Sequence, residues 1–367
     1  MTRSLEDLAS PYLRGLIPYS PGKPIEEVER ELGIAESVKL ASNENPLGPS
    51  PMALQAMRNA LPQVHRYPDG SGHHLTRALA GHWDVSPEMV ILGNGSNELL
   101  ELAGRCFLMP GDEAVYAAQA FIVYEMVAQV TGAAKIAVPL REFTHDLEAM
   151  RAALSPRTKL VFVGNPNNPT GTAVPPRALE AFLESMPPDV LVILDEAYYE
   201  FLSPDLTPDA LRFVRAGRPV LVLRTFSKIY GLAGLRIGYG IAPAPLIALL
   251  NRAREPFNTN SLAQVAATAA LRDEKHVAST RAITETGRKF LTEQCRFLGL
   301  TAVPSVANFV LVDVGRPGPA TADALLRHGV IVRPMAGYGF GTHLRISVGT
   351  PPENERCVAA LKAVLGK

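Results

Sequence analysis

The stretch Val190-Leu191-Val192-Ile193-Leu194-Asp195-Glu196-Ala197-Tyr198 decides the fold. Five consecutive aliphatic residues have the length of a strand, and with no polar residue among them both faces must be covered, as in a parallel sheet. A carboxylate follows at the strand's end. The same construction recurs on either side. Lys159 to Val163 ends in Gly164-Asn165-Pro166-Asn167-Asn168-Pro169-Thr170-Gly171, and Val220 to Leu223 ends in Arg224-Thr225-Phe226-Ser227-Lys228. Val90-Ile91-Leu92 runs into Gly93-Asn94-Gly95-Ser96-Asn97-Glu98. Between these runs, residues 97–108, 121–131 and 177–185 carry helical periodicity. The alternation predicts βαβ units, hence an α/β chain with a mostly parallel central sheet flanked by helices.

Away from this centre the tempo changes. Residues to about 47 are rich in turn formers and lead into a helical pattern at Ile25 to Leu32. After about residue 260, one long helical stretch from Ser261 to Leu298 precedes strands at Asn308 to Val312 and Leu344 to Val348, with helices near 320–328 and 353–365. The predicted organisation is an N-terminal arm with part of a small domain (1–47), a large sheet domain (48–260) and a small α+β domain (261–367).

A chain of 367 residues is long enough for about two domains. Hydrophobic residues at 47% and charged residues at 20% exclude wholesale disorder. Lys+Arg and Asp+Glu are 36 each, so there is no basic excess to neutralise nucleic-acid phosphates. Cys106, Cys295 and Cys357 are odd in number, far apart and without C-x-x-C spacing, as expected of reduced thiols in a cytoplasmic protein. Neither a leader-like apolar segment nor a run of membrane-spanning length is present in the sequence, so neither export nor a membrane partner is expected. His73-His74 are adjacent and diverge on either a strand or a helix, and no metal is expected there.

In a sheet of this kind ligands bind beyond the carboxyl ends of the strands. Each strand-end residue has an ordinary reading: Asp195 as a helix cap, Ser227-Lys228 as a solvated loop, Asn165 to Pro169 as a turn, Gly93 to Gly95 as turn glycines. In combination they supply an anion site at a helix N-terminus, an acid, a fixed amide near a phenol, and a lysine placed to titrate low. Those are the parts that hold pyridoxal phosphate as a Schiff base. A nicotinamide enzyme is disfavoured because the glycine run lacks the third glycine of G-x-G-x-x-G.

Asn165 to Gly171, Asp195 to Tyr198, and Ser227-Lys228-Ile229-Tyr230-Gly231-Leu232-Ala233-Gly234-Leu235-Arg236-Ile237-Gly238-Tyr239 resemble the signatures of fold-type I, class I/II aminotransferases. Within that superfamily, Pro18 to Pro24, Leu40 to Gly48 and Arg66 to Asp69 resemble the histidinol-phosphate aminotransferases.

The resemblance implies pyridoxal phosphate bound covalently by Lys228, which also serves as general base, and Asp195 against the pyridine nitrogen. Asn168 and Tyr198 would meet the cofactor's phenolic oxygen and Phe121 would stack on its ring. Gly95, Ser96, Asn97, Thr225, Ser227 and Arg236 would hold the phosphate, with Tyr67 reaching it from the other subunit of a homodimer. For substrate the resemblance implies Arg345, Arg333, Tyr19 and Asn168. The implied reaction interconverts L-histidinol phosphate plus 2-oxoglutarate and imidazole-acetol phosphate plus L-glutamate, in histidine biosynthesis. The alternatives it leaves are an aromatic amino acid aminotransferase and a threonine-phosphate decarboxylase.

Overall fold

The computed structural model describes residues 5–18 and 22–367. In chain order the strands are β1 (Val38–Lys39), β2 (Val90–Gly93), β3 (Glu113–Ala117), β4 (Ala134–Val138), β5 (Thr158–Gly164), β6 (Leu191–Asp195) and β7 (Val220–Thr225). There follow β8 (Gly238–Ile241), β9 (Thr301–Val303), β10 (Phe309–Asp313), β11 (Val330–Ile331), β12 (Arg333–Pro334) and β13 (His343–Ser347).

Seven strands form one sheet in the order β2-β8-β7-β6-β5-β3-β4. All neighbours run parallel except at β8, which is antiparallel to both β2 and β7. The expectation of a mostly parallel sheet therefore holds. Its central strands are aliphatic and buried on both faces, one side of the sheet in each of two large cores. Every buried aliphatic side chain in these cores contributes about 1.5–3 kcal/mol relative to exposure, so the strand ends that carry the chemistry rest on a rigid base.

A second sheet, β12-β13-β10-β9, is antiparallel throughout. It packs with Leu291 and Cys295 of the helix Glu274–Phe297 and with Cys357 and Leu361 of the helix Pro351–Leu365. β1 pairs in parallel with β11, which ties the N-terminal segment to this second body.

The predicted single helical stretch from Ser261 to Leu298 is in fact two helices, Ser261–Ala270 and Glu274–Phe297. Asp273 breaks it: its carboxylate accepts from His276 N at 3.1 Å and caps the second helix. The first helix turns Ala263, Ala266, Ala267 and Ala270 into the core of the large sheet, against the helix Pro51–Ala60. The second sheet's own helices begin only after it.

Candidate active site

A cavity of about 780 Å³ opens beyond the carboxyl ends of β5, β6 and β7, where the large sheet meets β13. Phe121, Asn168, Asp195, Tyr198, Lys228 and Arg345 line it. Ser96, Asn97, Thr225, Ser227 and Arg236 line it as well.

Adjacent residues at a strand's end face opposite ways, and β6 uses both directions. Asp195 enters the cavity, while Glu196 turns behind it and pairs with Arg224 at 2.7 Å. Arg224 lies between the rings of Trp83 and Tyr199, 3.7 and 3.6 Å from their centroids. The cationic partner at this strand end is thus Glu196's. Asp195 has neutral donors instead: Tyr124 Oη at 2.9 Å and the Ala197 amide at 3.2 Å. Burial raises its proton affinity, against these hydrogen bonds and the nearby Lys228 charge.

Lys228 follows β7 and donates from Nζ to the Ser42 carbonyl at 3.3 Å. Burial, aided by the Arg345 charge, lowers its pKa to about 8. A larger fraction of its amine is therefore neutral, and nucleophilic, than in a solvated lysine. The Tyr198 phenol is pushed up to about 12 by burial, so it is a proton donor at neutral pH. Its oxygen accepts from Asn43 Nδ2 at 2.9 Å.

Within the turn after β5 the two asparagines divide the work. Asn167 is spent on the loop itself, donating to Gln119 O and Thr170 Oγ1. Asn168 faces the cavity, its Oδ1 accepting from Arg345 Nη1 at 2.6 Å. Arg345 also donates from Nη2 to Ala41 O at 2.7 Å. Arg333 stands directly opposite Arg345 in the β12–β13 register, so both side chains rise from one face of the sheet. Arg333 is half-buried and is not among the cavity's lining residues.

An anion cradle occupies the far end. The helix Ser96–Phe107 begins there after Gly95, whose φ of 77° suits glycine, and a Cβ at Gly95 would come within 2.5 Å of Arg236 Nη2. At Gly238 a Cβ would collide with Ser96 N. Among the described residues the Arg236 guanidinium forms no ion pair with a carboxylate; its Nη1 donates to Ala233 O at 3.1 Å. A guanidinium that no carboxylate contacts, converging with a helix N-terminus, forms an anion site.

The family model for class I and II aminotransferases matches residues 35–361. The chain belongs to the class I and II aminotransferase family. Among aminotransferases, it is 53% identical over 349 residues to the histidinol-phosphate aminotransferase of Moorella thermoacetica, covering 95% of this chain and 90% of that one. It is 52% identical to the Anaeromyxobacter enzyme of the same name, with 98% and 99% covered. The crystal structure of the Sinorhizobium meliloti histidinol-phosphate aminotransferase in complex with pyridoxal-5'-phosphate superposes with a TM-score of 0.90 at 30% identity, covering 98% of this chain and 97% of that one. An aspartate aminotransferase from Thermus thermophilus with maleate gives 0.84 at 26%, covering 97% and 99%.

Of the residues singled out in sequence for this aminotransferase, Tyr67 stands apart: it is 83% exposed, stacks on Phe257 at 4.9 Å and does not line the cavity of its own chain. Tyr19 lies outside the described residues. Sequence reasoning assigned no role to Tyr124 or Asn43. Tyr124 lies on the helix Val123–Thr131 with its ring edge-on to Phe121, centroids 5.9 Å apart, and its reach to Asp195, 71 positions away, leaves no local signal in the sequence.

Proposed function

We propose that this chain is a pyridoxal-phosphate-dependent aminotransferase that takes L-histidinol phosphate and 2-oxoglutarate to imidazole-acetol phosphate and L-glutamate. The observation that carries the reading is Lys228, with its lowered pKa, in one cavity with Asp195 and Arg345. The cradle at Gly95, Ser96, Asn97, Thr225, Ser227 and Arg236 fits the cofactor's phosphate, since any Cβ at Gly95 or Gly238 would fill it. Asp195 fits a protonated pyridine nitrogen, and Phe121 offers a ring wall. When bound, the cofactor supplies an electron sink for the pair left by loss of the substrate's Cα proton.

The protein's own residues do the rest. Lys228 would hold the cofactor and, once freed, its neutral amine would take the proton from the substrate's Cα and deliver it to the cofactor carbon to which the lysine had been joined. Asp195, fixed by Tyr124, keeps a negative charge against the ring nitrogen. Tyr198 and Asn168 present polar hydrogens to the cofactor's phenolic oxygen. Arg345 offers a planar fork to the acidic end of either substrate.

Arg333, opposite Arg345 in register, adds a second guanidinium. A dianionic phosphate has oxygens and charge for two guanidiniums, where a carboxylate is matched by one planar fork. This favours a phosphorylated substrate over a plain aromatic amino acid. Tyr67, exposed and stacked on the exposed Phe257, suits contact with a second copy of the chain, whose cofactor phosphate it would reach.

The testing experiment mixes purified, cofactor-loaded protein with L-histidinol phosphate and no keto acid. Loss of the visible band with appearance of the pyridoxamine form supports both reaction and substrate. A band that persists with histidinol phosphate but bleaches with phenylalanine would return the reading to an aromatic aminotransferase.

A further inference from the structure

Asn43 is almost fully buried and adopts φ 54°, a left-handed conformation that asparagine tolerates better than most residues. Its amide group is oriented by Ser347. The Asn43 N–H donates to Ser347 Oγ at 2.8 Å, and Ser347 returns its own hydroxyl proton to Asn43 Oδ1 at 2.9 Å. With Oδ1 accepting there, the opposite end of the amide is the NH2 group, which donates to Tyr198 Oη at 2.9 Å. Among the described residues no protein group accepts the Tyr198 proton.

The segment around Asn43 belongs to the far sheet rather than to Tyr198's own. Ser347 N donates to Leu40 O at 2.8 Å, and Arg345 Nη2 donates to Ala41 O at 2.7 Å. Asn308, at the start of β10, donates from Nδ2 to Asn43 O at 3.0 Å. Residues 40–43 are therefore clipped along β13, whose side chains at 345 and 347 share one face. Between those clips, the Ser42 carbonyl receives Lys228 Nζ.

We propose that Asn43, on the cavity wall itself, is a positioning residue for Tyr198: its amide donates to the phenol oxygen, so the phenolic proton turns away from it across the cavity, and it holds that station through β13, the strand that carries Arg345. The inference rests on the aminotransferase reading, in which Tyr198 faces the cofactor's phenolic oxygen. It makes the direction of one proton depend on a side chain whose anchors all lie in the second body. The anion-binding arginine and this amide are thereby set by the same strand.

The isosteric Asn43→Asp replaces the donor by an acceptor and tolerates the same φ. Tyr198 would then turn its proton backward, toward the new carboxylate, and present a lone pair to the cofactor. The charged and titratable groups around Tyr198 and Lys228, namely Arg345 on β13, Asp195 on β6, Tyr338, Glu44 next to Asn43, and Arg236, are unchanged in the variant. In protein reconstituted with pyridoxal phosphate, N43D is expected to raise the pH midpoint of the visible band by about one pH unit or more. It should also lower kcat about tenfold or more, with KM for L-histidinol phosphate within about threefold.

In a Tyr198→Phe background the substitution should move the midpoint by less than half as much, because the phenolic proton is gone. An unmoved midpoint in N43D, or a shift of half or more in the Tyr198→Phe background, overturns the proposal. Should N43D not fold, Asn43→Gly keeps φ unstrained and frees the phenol to rotate. It is expected to raise the midpoint by a smaller amount, and no change there overturns the proposal equally. Failure of the aminotransferase reading looks different: wild-type protein would then show no visible band, or one that no amino donor bleaches.

Discussion

Tyr124 donates its phenolic proton to Asp195 Oδ2 at 2.9 Å, and among the described residues it and the Ala197 amide are the hydrogen-bonded support of that carboxylate. The carboxylate is buried and, among the described residues, has no cationic side chain in hydrogen-bond contact, so it depends on this donor to remain ionised. Tyr124→Phe removes one oxygen and leaves the ring stack on Phe162, with centroids 5.0 Å apart. A hydrogen bond to a charged group contributes about 1.5–3 kcal/mol. The variant is expected to lose about 10- to 100-fold in kcat and to bind pyridoxal phosphate more weakly, measured by steady-state kinetics and cofactor titration. Unchanged kcat would show that Ala197 alone suffices.

Asp195→Asn keeps the size of the side chain and removes its charge. The variant is expected to retain some cofactor while kcat falls by at least about a thousandfold, since the neutral amide cannot keep the ring nitrogen protonated. Near-normal turnover would refute the electron-sink role.

Lys228→Ala should abolish turnover, and borohydride treatment of the loaded variant should leave no cofactor on the protein. A reduced label recovered on any other lysine sinks the assignment.

The pH dependence of stability follows from the same lysine. Its pKa in the folded protein, about 8, lies below the ordinary lysine value of 10.5. Between those values the unfolded chain binds more protons than the folded one, so stability rises with pH through this window. Below about pH 8 both states carry the ammonium and the cost of burying it is present in full. Cofactor-free wild-type protein should therefore gain thermal stability relative to Lys228→Ala as pH is raised from 8 to 10. Parallel Tm curves for the two proteins would contradict the lowered affinity.

Arg333→Gln tests the paired guanidinium. We expect KM for L-histidinol phosphate to rise about tenfold or more, consistent with losing a charge-assisted contact of about 1.5–3 kcal/mol. The half-reaction with L-glutamate should change by less than about threefold. An equal loss for both substrates would move Arg333 out of phosphate recognition.

What the sequence made legible was set by burial. β2, β5, β6 and β7 are continuous aliphatic runs because the sheet is covered on both faces there, and the residues that close those runs are the ones that reach the cavity. β4 was missed: it lies at the sheet's edge with Ala134, Lys135 and Ala137 exposed, so its pattern is broken. β8 was read only as part of a motif, since Gly238 and Gly240 carry no side-chain signal, although the close approach to Ser96 requires a glycine at 238. The break at Asp273 hid between two helical patterns. Asn43 and Tyr124 were beyond reach for a different reason. Their roles lie in contacts with Tyr198 and Asp195, distant in sequence, which no local pattern encodes.

The clip between residues 40–43 and β13 also bears on how the molecule comes into being. Asn43 and Ser347 are 304 positions apart, as are Ala41 and Arg345. During synthesis from the N-terminus, residues 40–43 leave the ribosome long before β13 exists, and loops of that length close late and slowly. The large sheet can form as its strands emerge, with Asp195 and Lys228 already at their strand ends. The lysine's carbonyl contact and the orientation of the phenol must await β13. A nascent chain arrested before β13 would carry the lysine and the acid without the frame that aligns them, so competence for chemistry is acquired only once β13 has been made.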